Sequence, residues 1–157
     1  MPNLMLDKTD FKILLQLQNN GRLSNTDLSD IVGLSPSPCL RRVRALEQAG
    51  IIKRYAAIVD SKAVGLPISV FVNVTLHAQE RSGLEKFEAS IRAYQEVMEC
   101  YLMTGSSDYM LRIVVPDLES YEQFLAEKLT RTPGVANIQS SFALKQVVYK
   151  TALPLSD

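Results

Sequence analysis

Apolar spacing along this 157-residue chain changes its period once, near Pro67, and that change limits the folds open to it. Before Pro67 the apolar residues recur at helical spacing. Beyond it Ile68, Val70, Val72, Val74 and Leu76 alternate with Ser69, Phe71, Asn73 and Thr75, the pattern of a strand with one face in a core. Two small units joined by a hinge satisfy both patterns. The expected division is 1–55, an extended linker at 56–67, and 68–157.

The first unit reads as three short helices. Asp7 can cap a helix carrying Phe11, Leu14 and Leu15, with Ile13 and Leu17 alongside, and Asn19-Asn20-Gly21 ends it. Ser24 caps a second helix with Asp27 at its third position. Gly33-Leu34 then leads tightly into a third, capped by Ser35, with Pro36 and Pro38 in its first turn and Gly50 as its stop. Two short helices across a glycine turn make a helix-turn-helix. At about 100° per residue, Cys39, Val43 and Leu46 share the packing face of the third helix, while Ser37, Arg41, Arg44 and Gln48 share the opposite one, with Arg42 on the flank. An arginine-rich helix face is usually just a solvated one, but after a helix-turn it reads as a DNA-recognition helix. Its N-terminal residues Ser37, Pro38 and Arg41 then fall at base edges, and Ser35, Arg42, Arg44 and Arg54 toward phosphates of double-stranded DNA. Residues 51–59 look extended, as a wing or connecting strand.

Net charge is zero, yet Ser35 to Arg54 holds five basic residues against Glu47 alone. A local basic patch on a neutral chain suits a binder that holds few phosphates per subunit and gains affinity by presenting several copies. No apolar run approaches a membrane span, and residues 1–4 lack the start of a signal peptide, so the expectation is a cytoplasmic protein without a membrane partner. Cys39 and Cys100 lack metal-ligand spacing and read as buried free thiols, with no disulfide.

The second unit reads as βαββαβ. After the first strand, Leu84, Phe87 and Ile91 mark a helix. Val97–Met103 and Tyr109–Val115 are strands joined through Thr104-Gly105-Ser106-Ser107-Asp108. Pro116-Asp117 opens a second helix, and Thr132-Pro133-Gly134 turns into a long last strand from Val135 to about Lys150. This is the ferredoxin-like order, an antiparallel sheet with both helices on one face. The fold class is thus α+β, a winged helix-turn-helix followed by a ferredoxin-like domain. Asn137–Leu144 and Tyr101–Ser107 carry no charge, so the open sheet face calls for a covering partner.

Taken together, Leu6-Asp7 and Gly21-Arg22, Val32-Gly33-Leu34-Ser35-Pro36-Ser37-Pro38-Cys39 with Arg42-Val43 and Leu46-Glu47, Gly50-Ile51-Ile52, Gly105 with Asp108-Tyr109, and Pro133-Gly134-Val135 resemble the leucine-responsive and asparagine-regulator family of transcription factors. The likeness covers nearly the whole chain. Met98–Gly105 and Ser140–Gln146 further resemble the branch of that family acting on branched-chain keto-acid dehydrogenase genes. The family commonly has an acid where this chain has Ser106; Asp108 is retained.

The resemblance implies a regulator of amino-acid metabolism genes that dimerises and assembles further into tetramers or octamers, with no cofactor or metal, and that responds to a free amino acid. For an apolar L-amino acid, backbone N–H groups around Gly105 suit the carboxylate and Asp108 the ammonium. Hydroxyls of Thr104, Ser107, Ser140 and Ser141 can add polar contacts, while Met103, Val135 and Phe142 can line the apolar part. The competing reading is that Gly105 only turns a hairpin and Asp108 only caps it. An enzyme is disfavoured: His77 is the sole histidine and reads as a surface residue, Glu96 and Glu99 read as solvated, and no catalytic motif is present. An architectural DNA binder without an effector remains as the alternative.

Overall fold

In a computed structural model, residues 5–78 and 80–155 are described. The reading of residues 1–4 lies outside them. Three helices come first, α1 (Lys8–Asn19), α2 (Asn25–Val32) and α3 (Pro36–Gln48). They are followed by β1 (Ile68–Leu76), α4 (Arg81–Ala93), β2 (Val97–Leu102), β3 (Tyr109–Val115), α5 (Leu118–Phe124) running into a π-helical turn at Leu125–Leu129, and β4 (Val135–Phe142). No helix of the described residues is long and apolar enough to cross a membrane.

Local chemistry explains the helix ends. The Asp7 carboxylate accepts from the N–H groups of Thr9 and Asp10, while the Asp10 carboxylate accepts from the N–H of Asp7, a reciprocal capping box. Ser24 Oγ accepts from the Asp27 N–H. Gly33 and Gly50 adopt the left-handed conformation (φ 73° and 72°), which a side chain would strain, and so stop α2 and α3. Ile13, Leu14, Leu28, Val32, Cys39 and Leu46 form the core of this unit. Phe11 and Leu15, expected at its centre, are only half-buried, because α1 is rotated to bring Ile13 inward.

The sheet order is β2-β3-β1-β4 with every neighbouring pair antiparallel, as the ferredoxin-like reading requires. Val70, Val72, Val74 and Leu76 of β1 meet Leu111 and Ile113 of β3 under Phe87 and Ile91 of α4 and Tyr121 and Phe124 of α5. Asp117 caps α5, accepting from the Ser120 N–H at 2.7 Å.

Four expectations need correcting. Residues 51–59 form no strand, so the segment after α3 carries no wing ladder. β4 stops at Phe142 rather than near Lys150: Val147, Val148 and Tyr149 keep an apolar run but are exposed and unpaired in any strand. Cys39 is buried, but Cys100 is exposed, because its strand lies at the sheet edge. The chain also divides differently. One compact unit runs to Ile58 and takes in the segment from Val147 on; the other is Val59–Gln146. The tail returns to the helices, where Leu155 packs on their core, the Gln18 amide donates to the Leu153 carbonyl and the Leu153 N–H donates to Gln18 Oε1.

Candidate functional site

On α3, Cys39 and Leu46 are fully buried and Val43 packs beside them, leaving Ser37, Arg41, Arg44 and Gln48 exposed on the opposite side. Pro38 is half-buried; Ser35 and Arg54 are exposed. Ser35 occupies the N-cap position with extended backbone, yet its hydroxyl makes no capping bond. The cause is in the sequence: Pro38 stands where the N–H that such a cap prefers would be. The Ser35 hydroxyl therefore points to no partner within its own helix. The start of α3 is fixed instead from outside, by the Asn25 amide of α2 donating to the Pro36 carbonyl at 2.8 Å, a tie for which the sequence offered no pattern.

Arg42 departs from its expected phosphate role. Its guanidinium lies 2.8 Å from both Asp7 and Asp10, and Asp10 is buried at 6% exposure. A carboxylate in that position needs a countercharge, and Arg42 supplies it. The Asp10 N–H, and after it Arg42, hold the Asp7 carboxyl below its ordinary range. Arg42 thus ties α3 to α1. Past the helix, Tyr55 donates to Glu47 at 3.0 Å and lies against Gly21, where a side chain would press on its ring. That bond occupies the only acid among the basic residues of this face.

The second candidate site lies at one end of the sheet. Met103 to Ser106 are exposed, Ser107 is half-buried, and Asp108 is buried. Gly105 has φ 127°, a conformation open to glycine, with nothing close to where a Cβ would stand, so the loop is accessible from outside. Val135 pairs with Leu76 at this same end. Asp108 does more than cap a hairpin. Its carboxylate accepts the Leu76 N–H at 2.7 Å, its own N–H donates to the Val74 carbonyl, and its carbonyl accepts from Met103. The Leu76 N–H lies on the β3 side of β1, beyond Val74↔Tyr109 where the pairing of β1 with β3 ends, and Asp108 supplies the acceptor that the strand no longer offers.

The remaining predicted residues fall elsewhere. Ser140, Ser141 and Phe142 pair with Val72, Phe71 and Val70, toward the other end of β1. Ser140 and Phe142 face the helices, where Ser140 hydrogen-bonds the Tyr121 hydroxyl and the Phe142 ring meets Tyr121 edge-on at 5.2 Å. Within one subunit they do not join the 104–108 loop. Nor are Glu96 and Glu99 simply solvated: Glu96 pairs with Lys128 at 2.5 Å and Glu99 with Arg112 at 2.7 Å. A cleft of about 290 Å³ between Glu96, Pro116, Gln123 and Lys128 also lies at the end of the sheet away from the loop. The open face holds Phe71 and Tyr101, 38% and 49% exposed, around the Glu99–Arg112 pair. It therefore sets exposed aromatic rings among uncharged polar side chains such as Asn73, Gln139 and Ser141, and is not free of charge.

A model of Lrp/AsnC ligand-binding domains matches residues 69–153, and a model of winged helix-turn-helix DNA-binding domains matches residues 6–53. The Bkd operon transcriptional regulator of Pseudomonas aeruginosa is 49% identical over 96% of this chain and 98% of its own length. The leucine-responsive regulatory protein of Haemophilus influenzae is 41% identical over 92% and 87%. Among solved structures, a transcriptional regulator of Neisseria meningitidis in complex with L-Met superposes with a TM-score of 0.90 at 44% identity, covering 96% of this chain and 97% of that one. These relatives are regulators rather than enzymes. Helix-turn-helix, four-stranded sheet domain and full-length likeness agree, and the chain belongs to the Lrp/AsnC family of transcriptional regulators.

Proposed function

We propose that this protein binds specific DNA sites as a dimer or larger assembly, and that a free apolar L-amino acid alters that assembly or its hold on DNA. The observation that carries the DNA half is the exposed face of α3, with Ser37, Arg41 and Arg44 opposite a fully buried Cys39 and Leu46. Ser37, Pro38 and Arg41 approach base edges, and Ser35, Arg44 and Arg54 approach phosphates. Each helical unit offers few cations, so two units about one DNA turn (~34 Å) apart on a two-fold symmetric site supply the missing affinity. The sheet domains join the copies through the open face around Phe71 and Tyr101, and the family's tendency extends this to tetramers or octamers.

The effector half rests on the accessible Gly105 loop beside the Asp108 carboxylate, together with the Neisseria relative's L-Met complex. Backbone N–H groups of 104–107 suit the carboxylate, the Thr104 and Ser107 hydroxyls assist, and Asp108 faces the ammonium. Met103 and Val135 supply apolar surface. The exposed loop needs a further wall, and a neighbouring copy can bring Ser140, Ser141 or Phe142 to it. Leucine or another branched-chain residue is the first choice, followed by methionine and the aromatic amino acids.

A salt series on footprinted DNA tests the helix assignment. Arg41→Ala is expected to cost roughly 1–3 kcal/mol and relax specificity at one position. Arg44→Ala should weaken all sequences alike and flatten the salt dependence. The reverse pattern would mean that the helix lies the other way round.

A further inference from the structure

In the second turn of α3, where its exposed side meets its packing face, stands Leu40, a large apolar side chain 36% exposed. At about 100° per residue it projects roughly 60° from Ser37 and 40° from Arg44, on the same side as both. An exposed leucine alone is unremarkable. This one stands at the rim of the helix, with Ser37 and Arg44, which would meet bases and phosphates, on one flank and the packed Val43 on the other.

We infer that Leu40 is a specificity-determining residue which packs its isobutyl group on a thymine 5-methyl in the major groove. The methyl is the one apolar feature on a base edge there, and cytosine and the purines lack it. Arg41 and Arg44 on its outer flank bring the helix to the duplex but cannot read a methyl group. A leucine at this place does so without a hydrogen bond, by removing both apolar surfaces from water. The inference rests on α3 being the groove helix and adds a base to what that helix reads.

The test starts from duplex sites selected by the full-length protein out of a random pool. Each thymine of the selected site is replaced singly by deoxyuridine, which deletes only the methyl. Affinities are then measured for the parent, Leu40→Ala and Arg41→Ala. Alanine favours helix at an exposed position, so Leu40→Ala keeps the fold, which a thermal melt verifies. Burial of one methyl is expected to give a loss of about fourfold. One thymine per half-site should show that loss with the parent; Leu40→Ala should show a similar loss on the thymine duplex and no further loss on the deoxyuridine duplex. Two independent effects would instead multiply to about sixteenfold. Multiplying losses, Leu40→Ala binding like the parent, or a selected site without thymine in its contacted half overturns the Leu40 assignment while Arg41→Ala still weakens binding. No selectable site, or indifference to Arg41→Ala as well, overturns the groove-helix reading beneath it.

Discussion

Arg42 shows how a residue that counts as basic in the sequence can be committed inside the fold. Its guanidinium is 2.8 Å from a buried Asp10 and from the α1 cap Asp7, so its charge is already matched within the helical unit. Arg42→Ala should destabilise that unit by roughly 1–3 kcal/mol at neutral pH, read by urea titration, because the buried Asp10 loses its countercharge and keeps only the Asp7 N–H. The acid dependence follows from Asp7. Its folded pKa lies below the ordinary 3.8, so its contribution is present above that value and is lost as pH falls through the folded one. In Arg42→Ala the acid loss should shrink without vanishing, since the Asp10 N–H remains. Asp108 has a similar double commitment, to the Leu76 N–H and to the proposed ammonium. Helical spacing singled out Arg42 and the family resemblance Asp108, but neither could show what their side chains face. The Leu76 contact depends on a strand register that brings together positions 32 residues apart.

At the scale of elements, caps and periods were the legible part. Asp7, Ser24 and Asp117 cap where the sequence places them, and the βαββαβ order stands. The end of β4 was not legible, because Val147-Val148-Tyr149 read as strand while period-two spacing reports an extended backbone and says nothing of a pairing neighbour. The same limit applies to residues 51–59. The candidate effector residues divided for a related reason: Val135 and Phe142 belong to one strand, but the strand's length separates its ends, and only Val135 lies beside the Gly105 loop. The returning tail carries a prediction. Leu155 is a half-buried residue on the helical core, so Leu155→Ala should lower the stability of the helical unit by about 1 kcal/mol in a thermal or urea melt. An unchanged melt would remove the tail from that core.

For the whole molecule, the unbalanced feature is the open sheet face, where Phe71 and Tyr101 stay exposed around the Glu99–Arg112 pair. Helices α4 and α5 cover most of the other face, so the broad exposed surface of the sheet left for a partner is the one around these two rings. Light scattering at micromolar concentration should show a dimer or larger species, and Phe71→Asp should shift it toward monomer by placing a charge in the joint. A monomeric parent would refute assembly through this face.

The most direct test of the central claim is calorimetry of the parent and of Asp108→Asn with leucine, isoleucine, valine and methionine, extended to all twenty amino acids. Asp108→Ala is the wrong comparison, because it would also leave the Leu76 N–H without its acceptor, at about 1–3 kcal/mol. Asparagine keeps an oxygen for that N–H and removes the charge. The prediction is that the parent binds at least one apolar amino acid, and that Asp108→Asn melts near the parent temperature but binds that ligand at least tenfold more weakly. Binding unchanged in Asp108→Asn would contradict the role given to Asp108, and no binding of any of the twenty would contradict the amino-acid effector itself.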